Sequence, residues 1–141
     1  MGLPSTYPRF LLDDVCGAFP AEGLLRADLE ALVVRTQKEM REEGPMCLLD
    51  WRPEEVVLQA GRVLVIYGSD PIGEPERFFL LDLRSDNGKS FTAGELYYKL
   101  YREAAGEARR ACHCWFERLE LMDTLAGNSG DFPLYRMWLG N

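Results

Sequence analysis

The sequence predicts an α+β domain in which two amphipathic helices pack on an antiparallel sheet of about four or five strands. Three observations predict it. Two stretches, 25–40 and 92–111, repeat apolar residues at the 3.6-residue period of a helix. Several others carry the β-branched and apolar runs of strands, closed off by turn residues. With 47% hydrophobic and 28% charged residues, the composition excludes a disordered or collagen-like chain. At 141 residues the whole of 1–141 reads as a single domain, able to bury roughly two-thirds of its unfolded surface.

The elements follow in chain order. Pro4, Pro8 and Pro20 punctuate residues 1–20, which are expected to wrap the surface with a short turn or strand around Phe10–Leu12. The first helix follows Pro20. Its apolar face holds Leu25, Leu29, Leu32, Val33, Thr36 and Met40, and Asp28, Glu30, Arg35, Lys38, Glu39, Arg41 and Glu42 occupy the other face. Gly44-Pro45 supplies a C-cap glycine and a residue that cannot continue a helix. Met46 to Trp51 reads as a short strand. Arg62 to Tyr67 is an unbroken apolar run and predicts a strand covered on both faces. Arg77 to Arg84 is the next strand, with Phe79, Leu81 and Leu83 on one side, and its short connection favours antiparallel pairing. Gly61, Gly68 and Gly73 read as turn glycines.

Ser85 to Lys89 is a turn whose Asn-Gly pair suits positive φ. Thr92 and Glu95 form a capping box for the second helix, with Phe91 and Leu96 as a hydrophobic staple. Tyr97, Leu100, Tyr101, Ala104, Ala108 and Ala111 make its core stripe. Glu95, Lys99 and Glu103, spaced at four, are expected along an exposed edge, where pairing is weak. Strands at 114–122 and 134–139 close the chain.

Charge narrows the partners. The net charge is −7, so the surface repels phosphate backbones and anionic lipid and attracts basic proteins. Neither nucleic acid nor a membrane is an expected partner. The start, Met1 to Phe10, lacks the basic and long apolar regions of a signal peptide, and no apolar run has the length of a membrane helix. A cytoplasmic protein with reduced thiols at Cys16, Cys47, Cys112 and Cys114 is expected.

Motifs for chemistry are sparse. There is no phosphate-cradling glycine motif, no nucleophile elbow and no paired-histidine zinc motif. Cys112-His113-Cys114 spaces its thiols too closely for the usual zinc pair, and a full site would need Cys16 or Cys47 to arrive from elsewhere. Asp13-Asp14 and Glu54-Glu55 are adjacent in sequence, so their side chains diverge and read as solvated charges. No metal, no cofactor and no catalytic residue is expected. Aromatic residues gather in the C-terminal half. Tyr98 falls off its helix stripe, and Trp115 and Phe116 cannot both face inward on one strand. Exposed aromatics rimmed by charge are what binding hot spots use, so the candidate partner-binding residues are Asp28, Glu39, Glu42, Glu43, Tyr98 and Trp115.

One stretch carries a resemblance. Asp86 to Leu96 reads D-N-G-K-S-F-T-A-G-E-L. His113, Trp115, Phe116, Glu117, Leu119 and Leu121 follow, then Pro133, Leu134, Tyr135 and Gly140. Together these span roughly residues 78–141 and resemble a pattern of small bacterial immunity proteins of toxin systems; the cysteines flanking His113, and Arg118 in place of a glycine, depart from it. The resemblance implies a protein that binds and neutralises a cognate toxin in the cytoplasm, and the acidic charge suits a basic one. An adaptor or chaperone-like binding module, including a homodimer, is the alternative. A small enzyme using His113 with Cys112 or a nearby carboxylate is the third reading.

Overall fold

The structure is a computed structural model and describes residues 7–15, 17–43, 51–111, 114–128 and 130–140. The chain is α+β, as the sequence predicts. In order, its elements are β1 (Phe10–Leu11), β2 (Gly17–Ala18), α1 (Arg26–Glu43), β3 (Val56–Leu58), β4 (Arg62–Ser69), β5 (Arg77–Arg84), β6 (Phe91–Thr92), α2 (Ala93–Arg110), β7 (Trp115–Leu125) and β8 (Phe132–Gly140). No described helix is long and apolar enough to cross a membrane. Gly44-Pro45, most of the strand expected at 46–51, and Cys16, Cys47, Cys112 and His113 lie outside the described residues. Trp51, the described end of that expected strand, is buried but outside any strand.

The main sheet runs β1-β7-β8-β4-β5, with β2 also on β7. Every pair in it is antiparallel except β4 with β8, which corrects the all-antiparallel expectation. The reason is topological. β8 forms a hairpin with β7, and once β7 has its place the direction of β8 beside β4 is fixed. A second small sheet pairs β3 with β6, and the sequence pattern does not predict it.

Alternation places the core on one face of the sheet. Val63, Val65, Tyr67 and Ser69 of β4 are buried, and the residues between them are half-covered. The strand is therefore closed on one face and only half-covered on the other, not covered fully on both as its apolar run suggests. On the inner face lie Leu96, Tyr97, Leu100, Tyr101, Ala104, Ala105 and Ala108 of α2, with Leu29 and Val33 of α1 in the same cluster. The predicted stripe of α2 is its buried stripe. The alanines along its second half let the helix approach the sheet closely.

Three corrections concern local structure. First, α1 begins at Arg26, and Leu25 is 70% exposed instead of buried. The Tyr101 hydroxyl accepts the Leu24 amide at 3.0 Å and donates to the Ala21 carbonyl, which holds this segment out of helix. Second, residues 7–20 do more than wrap the surface. Leu11, Leu12, Val15 and Phe19 are all buried in the core. Leu12 takes φ 59°, a left-handed turn that burial holds in place against its steric cost. Third, Glu95 and Lys99 are not on an exposed edge. Both are buried beneath the Ser85–Asn87 turn.

The capping box at α2 is half as predicted. The Thr92 hydroxyl accepts the Glu95 amide at 3.2 Å. The Glu95 carboxylate does not reach back to Thr92 but accepts the Asp86 amide at 2.7 Å. The Ala93 and Gly94 amides go to the Glu55 and Pro53 carbonyls, so three first-turn donors are satisfied by surrounding chain.

The predicted turn glycine at the Asn-Gly pair, Gly88, has φ +72°. Gly61 is more than a turn residue. Its carbonyl accepts the Ser85 amide, and a Cβ at this position would overlap the Gly88 carbonyl backbone. Gly61→Ala is expected to push the two backbones apart and to lower stability by about 2 kcal/mol, as overpacking does. Urea titration checks it; an unchanged midpoint would show that the turn yields freely.

Candidate partner-binding site

Between α1 and the start of the sheet lies an apolar groove of about 300 Å³. Leu29, Leu32, Val33 and Thr36 form its α1 wall. Gly17, Ala18 and Pro20 form part of the opposite wall, with Tyr97 also lining the groove. Trp115, 38% exposed, lines it from the first position of β7. Alternation along β7 explains this placement: Phe116 turns fully inward, so Trp115 turns out.

The wall along α1 exists because the helix's apolar stripe is wider than the core can cover. Leu29 and Val33 are buried, and Leu32 and Thr36 remain half-open on the flank. Beside them run Asp28, Arg35, Glu39 and Glu42, spaced at seven, four and three and therefore on one helical stripe, all exposed. Three carboxylates stand against one guanidinium there. Four of the residues singled out from sequence, Asp28, Glu39, Glu42 and Trp115, thus flank one groove. The Glu43 side chain lies outside the described residues.

Tyr98 is elsewhere. It lines a second depression of about 290 Å³ with Leu24, Leu25, Tyr101 and Arg102. Its ring is half-buried, with the Arg102 guanidinium 5.6 Å from the centroid. The exposed Leu25 belongs to this second site. The helical apolar period that includes Leu25 predicts it in the core, so the sequence pattern does not reveal this second site.

The α1 groove is suited to binding and not to proton transfer. Among the described residues Tyr97 is its only titratable lining residue, and burial, then the neighbouring Tyr101, pushes that hydroxyl's pKa well up. Its described lining is neutral and would accept an apolar side chain. A third cleft, about 610 Å³, is polar and contains Arg62, Arg84 and Asp131. Its arginines are already engaged. Arg62 forks onto Asp82 with both contacts at 3.0 Å, and Arg84 approaches the same carboxylate at 3.5 Å. Hydrogen bonding from Arg62 holds the Asp82 carboxyl below its ordinary range.

Of the adjacent carboxylates, Asp14 is not a plain solvated charge. It is half-buried, and burial, with Asp13 and Glu55 nearby, pushes its carboxyl up against the pull of its own backbone. Among the described residues no group of three or more His, Cys, Asp or Glu is arranged to hold a metal ion. No protein-family model matches this chain, and no curated protein or solved structure matches it either.

Proposed function

We propose that this protein is a stoichiometric inhibitor of the immunity type, which binds one basic toxin in the cytoplasm through the α1 groove. The observation that carries the reading is Trp115, exposed at an apolar groove that runs beside the Asp28, Glu39 and Glu42 stripe. A large aromatic next to an unfilled apolar groove is the composition of a binding hot spot. The acidic stripe and the net charge of −7 would speed encounter with a basic surface. The choice of a toxin as that partner rests on the resemblance at Asp86 to Leu96 and in the segment after it.

The test is co-expression with the product of the neighbouring reading frame. Growth arrest by that product alone, rescue by this chain, and a one-to-one complex are expected. Trp115→Ala should weaken the complex about thirtyfold, or about 2 kcal/mol, through slower-bound and faster-released partner. Tyr98→Ala, at the other depression, should change it little. A harmless neighbour, or rescue with no complex, would sink the reading.

A further inference from the structure

The sheet has an open end at β5, whose only partner among the described residues is β4. This edge is eight residues long, and Phe78 and Leu80 on it are each 60% exposed. Natural edge strands usually carry charge, proline or a bulge where they face solvent. Here two large apolar side chains stand in the middle of an uninterrupted strand, with Ile72, 88% exposed, in the preceding loop.

Which backbone groups are open follows from the β4–β5 ladder. The Ser85 amide donates to the Gly61 carbonyl, in continuation of the register that sets Arg62 opposite Arg84 and Val63 opposite Leu83. Odd-numbered residues of β5 therefore turn their amides and carbonyls to β4. Phe78, Leu80, Asp82 and Arg84 turn theirs to the open edge, and their side chains lie on the sheet's outer face.

We propose that this edge pairs antiparallel with the β5 edge of a second copy of the chain, with Leu80 on the two-fold axis. Self-pairing must be isologous, so each contact occurs twice. With Leu80 opposite itself, Phe78 faces Asp82 of the second copy and Glu76 faces Arg84 of the second copy. Opposite charges then meet at both ends. Placing Leu81 on the axis instead sets Asp82 against Leu80 and Arg84 against Phe78, so no opposite charges meet. Placing Phe79 there sets Glu76 against Asp82, two carboxylates opposed twice over, which is destabilising across a ladder. Charge thus favours the Leu80 register over both of its neighbours. Pairing would close about six backbone hydrogen bonds and cover the exposed Leu80 side chains. β4 and β8 separate β5 from β7, so the groove beside Trp115 stays open in each copy.

Light scattering of the purified full chain at rising concentration tests this. The mass should climb from 16.1 kDa towards twice that value. Leu80→Lys places two like charges on the axis and should keep the chain monomeric, with the thermal midpoint that the parent chain shows at low concentration. Glu76→Arg should weaken dimerisation about tenfold, and Glu76→Arg with Arg84→Glu should restore it. Single cysteines at 79, 80 and 81 report the register. A hydrogen-bonded antiparallel pair has its Cα atoms about 5.5 Å apart, within disulfide reach. Oxidation followed by peptide mapping should give an 80-to-80 link from Leu80→Cys and none from Phe79→Cys or Leu81→Cys. A monomer at every concentration, a dimer that survives Leu80→Lys, or a preferred link at 79 or 81 would overturn the proposal.

Discussion

Phe19→Ala is expected to lower the unfolding free energy by about 4 kcal/mol. Phe19 is fully buried. Its ring stacks on Tyr97 at 5.6 Å and tilts against Phe116 at 5.8 Å and Tyr101 at 6.3 Å. Removal of a buried phenylalanine ring costs about 3–5 kcal/mol through lost transfer energy and the cavity left behind. The backbone at this position, which alanine keeps, is anchored as well. The Phe19 amide donates to the Cys114 carbonyl at 2.7 Å, and its carbonyl accepts from Arg109 at 3.1 Å. The ring therefore joins the N-terminal segment to α2 and the start of β7. For a domain of this size the melting temperature should fall by about 12 °C. Phe10, 37% exposed on β1, is the control, and Phe10→Ala should cost under about 1 kcal/mol. Equal effects at the two positions would contradict the packing described.

Phe19 also marks the limit of what the sequence reveals. Local periodicity sufficed for the buried stripe of α2 and for strands β4, β5, β7 and β8, because a helix or strand face is written in spacings of three to four or of two. Residues 7–20 have no such period. Their prolines suggest a surface strap, and only the position of α2 makes a core of Leu11, Leu12, Val15 and Phe19. The same holds for the parallel β4–β8 pair and the β3–β6 pair, which depend on contacts distant in sequence. At the candidate site, Trp115 was legible from its alternation with Phe116, and the acidic stripe from helical spacing. The groove itself was not. It needs Gly17, Ala18 and Pro20 brought against α1, and nothing local in those residues announces it.

Lys99→Met is expected to cost about 3 kcal/mol, although the spacing of Glu95, Lys99 and Glu103 alone suggests a weak surface pair. The Lys99 side chain is 10% exposed and that of Glu95 is 9% exposed. The ammonium donates to the Arg84 carbonyl at 2.6 Å, to Glu95 at 2.7 Å and to Asp86 at 2.8 Å. All three of its donors are used. Methionine fills a similar volume but leaves the Glu95 carboxylate buried without its cation, and breaking one side of a buried pair costs about 3–5 kcal/mol. Adding Glu95→Gln to Lys99→Met should recover about 1 kcal/mol or more, so the two substitutions should be non-additive. Additivity to within about 0.5 kcal/mol would show that the pair is not coupled. The pH profile supplies an independent readout. Burial disfavours the ammonium, but hydrogen bonds and charge from Asp86 and Glu95 outweigh it and hold Lys99 above its ordinary 10.5. Its contribution is therefore complete below pH 10.5 and is lost as pH rises through the folded value. Hydrogen bonding from Lys99, then its charge, holds Asp86 below its ordinary 3.8. That contribution is present above pH 3.8 and is lost as pH falls through the folded value. Lys99→Met removes both limbs at once, so stability measured by urea should vary less with pH at both extremes than in the parent chain.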